Sequence, residues 1–208
     1  MKRMSKFGYM LLFVMLVFSC RTRDELTATQ DIVTQVAKLS DTKLSFSYTS
    51  TNGVKKIRIQ FLTKPESENQ IGEILLNFYK QSQKKKIEYS FYSVADEQNR
   101  ELLSCERKRL QQLNEKEALV LKYVLDLKNP STNDFDKYFI IKNFKPNELQ
   151  YVSDKIGQMH DPIIFKGFFE RKIGPINFIV FQYNSGDNDI FITLDEQQQK
   201  IAGFDSNF

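Results

Sequence analysis

The sequence predicts an α+β fold: an N-terminal helix plus a small β-β-α-β unit, a helical middle, and a C-terminal helix packed on a curved antiparallel four-stranded meander. Three observations carry this. Some apolar residues recur at helical spacing, as in Ile71, Ile74, Leu75 and Phe78. Others alternate at period two between turn residues, as in Leu44, Phe46, Tyr48 and Ile57, Ile59, Phe61. The last four strand-like runs follow one another with only short turns between them, the pattern of a meander.

Taken in order, Leu26, Ile32, Val33, Val36 and Leu39 form one helical stripe. Two alternating runs flank Thr51-Asn52-Gly53, and Asn-Gly is the strongest short hairpin signal. Pro65 suits the first turn of the next helix. Ile87, Tyr89 and Phe91 alternate as a third strand. Residues 99–128 read as helical through Leu102, Leu103, Leu110, Leu113, Leu119, Val120, Val124 and Leu127, and Asn114 with Glu117 suggests a capping box and a break there. A segment rich in Asn, Pro, Ser and Thr follows. Beyond it, Leu149, Val152, Ile156 and Met159 make a short helix with Pro146 in its first turn. The meander is expected as Ile163–Lys172, Ile176–Asn184, Asp189–Leu194 and Lys200–Phe204. Phe178-Ile179-Val180-Phe181 is apolar on both faces, so that strand is expected to be central and covered twice over.

The N-terminus points to a location. Lys2, Arg3 and Lys6 precede an apolar run from Phe7 to Phe18, and no acidic residue occurs before Asp24. A bilayer core of ~30 Å needs roughly 20 apolar residues, so this run is too short to span, but it suits the core of a secretory signal. Val17-Phe18-Ser19-Cys20 resembles the lipobox of bacterial lipoproteins, with Phe18 bulkier than the usual residue at its position. The resemblance implies cleavage before Cys20, lipidation of Cys20, and a tether over residues 20–25. The organisation read from this is a signal peptide at 1–19, the tether, an N-terminal α/β unit at 26–128, a linker at 129–137 and a meander domain at 138–208. Arg23-Asp24-Glu25 and the absence of Asp directly after Cys20 favour the outer membrane of a Gram-negative cell, on either its periplasmic or its surface face.

Composition narrows the function. The 208-residue chain has 30 basic and 26 acidic side chains. Without residues 1–19 the balance falls to 27 against 26, so a nucleic-acid partner, which needs a concentrated basic face, is not expected. Lys84-Lys85-Lys86 and Arg107-Lys108-Arg109 are its tight basic clusters, suited to solvated faces or to anionic headgroups. Cys20 and Cys105 are the only cysteines and His160 the only histidine. With Cys20 lipidated, no disulfide framework is possible, no cofactor or metal site is expected, and a Cys105–His160 pair is the one conceivable dyad. Asp187 and Asp189 sit in a polar turn rather than a calcium loop.

Leu194-Asp195 with Lys200-Ile201-Ala202-Gly203-Phe204 is similar to the closing strands of nuclear-transport-factor-2-like and cystatin-like domains. The resemblance covers about the last 70 residues and implies a concave sheet packed on a helix, without those families' catalytic sets. The functional expectation is a non-enzymatic, membrane-anchored module or scaffold that binds another envelope protein. Its candidate surface comprises Phe168, Phe178, Phe181, Tyr151 and His160, with Gly167 and Phe169 beside them. Two alternatives stand. One is a small-molecule carrier or enzyme with an apolar pocket inside the curved sheet, where Tyr151, His160 and Asp161 would be its first polar groups. The other is an immunity-type or structural envelope protein.

Overall fold

The computed structural model describes residues 6–128, 135–159 and 162–206, with side chains from residue 23 onward except that at 146. The fold is α+β, with two four-stranded sheets. Helix α1 (Lys6–Leu39) leads into the hairpin β1 (Leu44–Thr51) and β2 (Val54–Phe61). Helix α2 (Glu68–Lys84) crosses over to a second hairpin, β3 (Phe91–Ala95) and β4 (Glu101–Glu106). Helix α3 (Arg107–Leu127) and helix α4 (Pro146–Gly157) precede the meander of β5 (Ile163–Ile173), β6 (Ile176–Ser185), β7 (Asn188–Asp195) and β8 (Lys200–Ser206).

In the first sheet, of order β1-β2-β3-β4, the two hairpins meet in parallel along β2 and β3. Asn52 and Gly53 adopt φ of 51° and 79°, the positive angles a two-residue hairpin turn requires. Ile32, Val33 and Val36 of α1 are buried, whereas Leu26 and Leu39, at the ends of the expected stripe, are exposed. The helix also continues through residues 20–25, where a tether was expected. Ser67, not Pro65, opens α2: its side chain accepts a hydrogen bond from the backbone N–H of Gln70. Ile74, Leu75 and Phe78 are fully buried. Around them, Tyr89 meets Phe78 and Tyr92 with ring centroids 5.9 and 5.5 Å apart.

Three expectations for the middle are corrected. The third strand begins at Phe91, and Ile87 and Tyr89 are buried in the connection before it. Residues 101–106 form β4, not a helix. The reason is the turn ahead of them. The Asp96 carboxylate accepts from the backbone N–H groups of Gln98 and Arg100, and Asn99 takes φ 63°, folding the chain back onto β3. Helix α3 then runs unbroken through Asn114. Glu117, expected in a cap, lies on the buried stripe of Leu110, Leu113, Val120 and Val124 and pairs with Lys80 at 2.8 Å.

The meander matches its expected strands to within two residues, in the order β5-β6-β7-β8. Its far edge is closed by residues 138–140: the Ile201 N–H donates to the Tyr138 carbonyl at 2.7 Å, and the Ile140 N–H to the Ile201 carbonyl at 2.9 Å. Alongside α4, which buries Leu149, Val152 and Ile156, helices α2 and α3 pack against this sheet. One apolar cluster therefore extends from Ile32 to Ile201 through both halves. The clamp between them is α2 against β5. A Cβ on Gly72 would stand 2.1 Å from the Phe168 carbonyl oxygen, and one on Gly167 (φ 134°) 2.0 Å from the Asn69 carbonyl oxygen. The Asn69 amide then reaches the Gln182 side chain at 2.6 Å.

Candidate functional site

Strand parity sorts the rings of the meander. Ile179, Phe181 and Tyr183 of β6 face the core opposite Leu194, Ile192 and Ile190 of β7. Phe168 pairs with Phe181 on this inner face, and both are buried. Two of the candidate surface residues, Phe168 and Phe181, are thus core and cannot meet a partner. The other parity points outward: Phe169 opposite Val180, Phe178 opposite Arg171 and Asp195, and Phe191 opposite Gln182. Phe169, Phe178, Val180 and Phe191 all stand outside the core cluster. Val180 is buried among them, and the three rings are half-exposed. The central strand is therefore covered on its inner face, while its outer face carries a patch of rings on neighbouring strands. The Arg171 guanidinium lies 4.7 Å from the Phe169 ring centroid.

The first sheet provides the contrast. Its outward face carries Ser47, Thr49, Lys56, Arg58 and Ser93, with Phe91 partly covered by the Lys56 ammonium at 5.1 Å. That is an ordinary solvated face. The outward face of the meander is aromatic instead. Sequence reasoning found Phe178 but missed Phe191. The signal was available: Gln182 and Asn184, two polar residues in the second half of β6, share the parity of Phe178 and Val180.

Tyr151 is 53% exposed on α4, at the rim of a separate cleft against β8, and does not join the ring patch. His160 and Asp161 lie outside the described residues. No helix among the described residues is long and apolar enough to cross a membrane, and none of their His, Cys, Asp and Glu side chains gather in threes to hold a metal.

An apolar cleft lies outside the curved sheet. It has a volume of about 410 Å³ and lies between β4 and β5, beside the first turn of α2. Leu103, Cys105, Ile71 and Phe168 line its apolar part, and Glu68, Glu106, Arg109 and Glu170 its rim. Burial, aided by Glu170 and opposed by Arg109, pushes the Cys105 thiol up to about 11. It stays protonated near neutral pH and is a poor nucleophile. Two members of the basic cluster at 107–109 are paired within the molecule. Arg107 pairs with Glu88 at 2.7 Å, and Arg109 with Glu170 and Glu196; Arg109, aided by Lys116, holds the Glu196 carboxyl below the usual carboxylate range.

Comparison with protein-family models, curated proteins and solved structures finds no match.

Proposed function

We propose that this chain is a non-enzymatic lipoprotein of the Gram-negative outer membrane, anchored through Cys20, whose C-terminal sheet binds another envelope protein. The observation that supports the binding role is the outward patch of Phe169, Phe178 and Phe191 around Val180, set against the polar outward face of the first sheet. Half-exposed rings held rigid by a sheet give large contact area at little entropic cost, which suits protein recognition. The anchor rests on the basic start, the apolar run and Cys20. Multiple acyl chains would hold it stably, since each buried CH2 contributes about 0.8 kcal/mol.

The test is cross-linking in intact membranes of a Gram-negative host, comparing the full precursor with Cys20→Ala and Phe178→Asp. Cys20→Ala is expected to abolish fatty-acid labelling and detergent-phase partitioning. Phe178→Asp is expected to keep the anchor but lose a specific cross-linked envelope protein. Undiminished labelling of Cys20→Ala would sink the anchor. Identical cross-links with and without Phe178 would sink the binding face.

A further inference from the structure

Helix α1 leaves the first sheet at the end where β1 stops and β2 begins. There the Glu25 carboxylate sits 2.7 Å from the Lys55 ammonium, and the Thr29 and Tyr89 hydroxyls are 2.6 Å apart. The Ser90 N–H donates to the Lys55 carbonyl, and the Arg107 N–H to the Ser90 carbonyl. Lys84 and Arg107 line one cleft. These contacts gather the start of α1, the hairpin tip, the end of α2 and the start of α3 on one surface, so the two basic clusters of the sequence lie side by side. Two ion pairs there cancel, Lys55 with Glu25 and Arg107 with Glu88. Arg23, Lys56, Lys84, Lys85, Lys86 and Lys108 remain. Asp24 and Glu106 oppose them, with Glu115 two turns along α3. Six against three is a larger excess than the 27 against 26 of the whole chain beyond residue 19, so the rest of that chain is net acidic.

We propose that this end of the molecule is a docking surface for anionic phospholipid headgroups, which holds the body against the bilayer that carries its anchor. Docking here presupposes the lipid anchor proposed at Cys20. Helix continuity sets the distance. Because α1 runs unbroken through residues 20–25, at 1.5 Å per residue the Cys20 backbone stands about 7.5 Å along the helix from Glu25. That is comparable to the Debye length of about 8 Å at physiological ionic strength, so headgroup charge is felt at this surface. Lys84, Lys85, Lys86 and Lys108 are exposed and make no ion pair among the described residues, which leaves their charge to lipid phosphate. Leu26 and Val54, next in sequence to the Glu25–Lys55 pair, are 39% and 38% exposed and suit the headgroup boundary. Lys38, Lys43 and Lys64 gather at the opposite end of α1, facing away from an anchored bilayer.

The test purifies the full chain from a Gram-negative host and reconstitutes it in vesicles of phosphatidylcholine alone or with about 30% phosphatidylglycerol. Lysine acetylation is then read by mass spectrometry. On the anionic vesicles Lys56, Lys84, Lys85, Lys86 and Lys108 should react about tenfold more slowly than on the neutral ones, with Lys38, Lys43 and Lys64 equal on both. Each lysine near a charged surface contributes about fivefold, so replacing Lys84, Lys85 and Lys86 together by glutamine should weaken docking about a hundredfold. Lys56 and Lys108 should then return to their neutral-vesicle rates. Phe178→Asp should change none of these rates. Equal rates on the two vesicles, slowing spread evenly over both ends, or slowing that survives the three glutamines would each overturn the docking face; a patch made for an acidic protein gives the first of these. Failure of the chain to float with neutral vesicles would remove the anchor, and the docking face with it, whereas flotation with both vesicles at equal rates would sink the docking face alone.

Discussion

Replacing Gly72 with alanine isolates the contact that joins the two halves of the molecule. In an exposed helix interior, Gly→Ala stabilises by about 1 kcal/mol, because glycine loses more backbone freedom on folding. At Gly72 the added methyl would stand 2.1 Å from the Phe168 carbonyl oxygen and 2.9 Å from its nitrogen. Helix α2 would have to withdraw by roughly 1 Å, because backbone cannot rotate out of the way as a flexible side chain can. Withdrawal strains the 2.6 Å hydrogen bond from Asn69 to Gln182. Overpacking costs roughly 1–3 kcal/mol, and the lost hydrogen bond about 1 more. Set against the propensity gain, a net destabilisation of about 2 kcal/mol is expected, or a fall in Tm of about 4–8 °C for a chain of this size. Gly157→Ala is the matched control: nothing lies within 4 Å of its added methyl, so it should be neutral or slightly stabilising. The assay is thermal and urea unfolding followed by circular dichroism. A Gly72→Ala protein as stable as the parent would refute the close approach of α2 to β5, and with it the joint between the halves.

Three further outcomes are expected. Burial pushes the Glu73 carboxyl up to about 7 against the opposing pull of Lys166 and Ser40, so the folded state binds the proton more tightly than the unfolded one. Stability should therefore be greatest below about pH 4.5 as far as this group is concerned. It should fall by at most roughly 3 kcal/mol as the pH rises through 7, a slope that Glu73→Gln should remove in urea melts across that range. In a Cys20→Ala background, Cys105 should react with a thiol reagent at neutral pH about a hundredfold more slowly than a free thiol, since little thiolate forms; labelling at the rate of free cysteine would contradict its buried setting. Arg109→Ala should cost about 2 kcal/mol in chemical unfolding by leaving Glu196 with only Lys116 as a cationic partner, and a change within 0.5 kcal/mol would show that the pairing is solvated.

Local pattern made much of this fold legible. Residues 163–206 alternate at period two between short turns, and adjacent strands joined by such turns have few ways to pair other than as a meander. Asn52-Gly53 specified the first hairpin in the same way, and Ile74, Leu75 and Phe78 specified α2. The short run Leu102-Leu103 was ambiguous, because two adjacent apolar residues fit a helix or an edge strand equally well. The turn at Asp96–Arg100 and the waiting edge of β3 decided it.

Facing was harder to read than pairing. Between Phe165 and Gly167 a β-bulge shifts the register of β5, so Phe165 and Phe168 share the inner face although they lie three residues apart. A strict alternation would separate them, and this is why Phe168 could be mistaken for a surface ring while Phe169 is one. Outside residues 87–106, the sequence by itself determined which segments form strands and helices, since those preferences are set within a few residues of chain. The tertiary structure decided what each apolar face is buried against, which edges stay open, and that the cleft lies between β4 and β5 rather than inside the meander. Those features depend on contacts such as Gly72 with Phe168, between residues distant in the chain, where the missing side chain acquires its meaning only when the other backbone arrives.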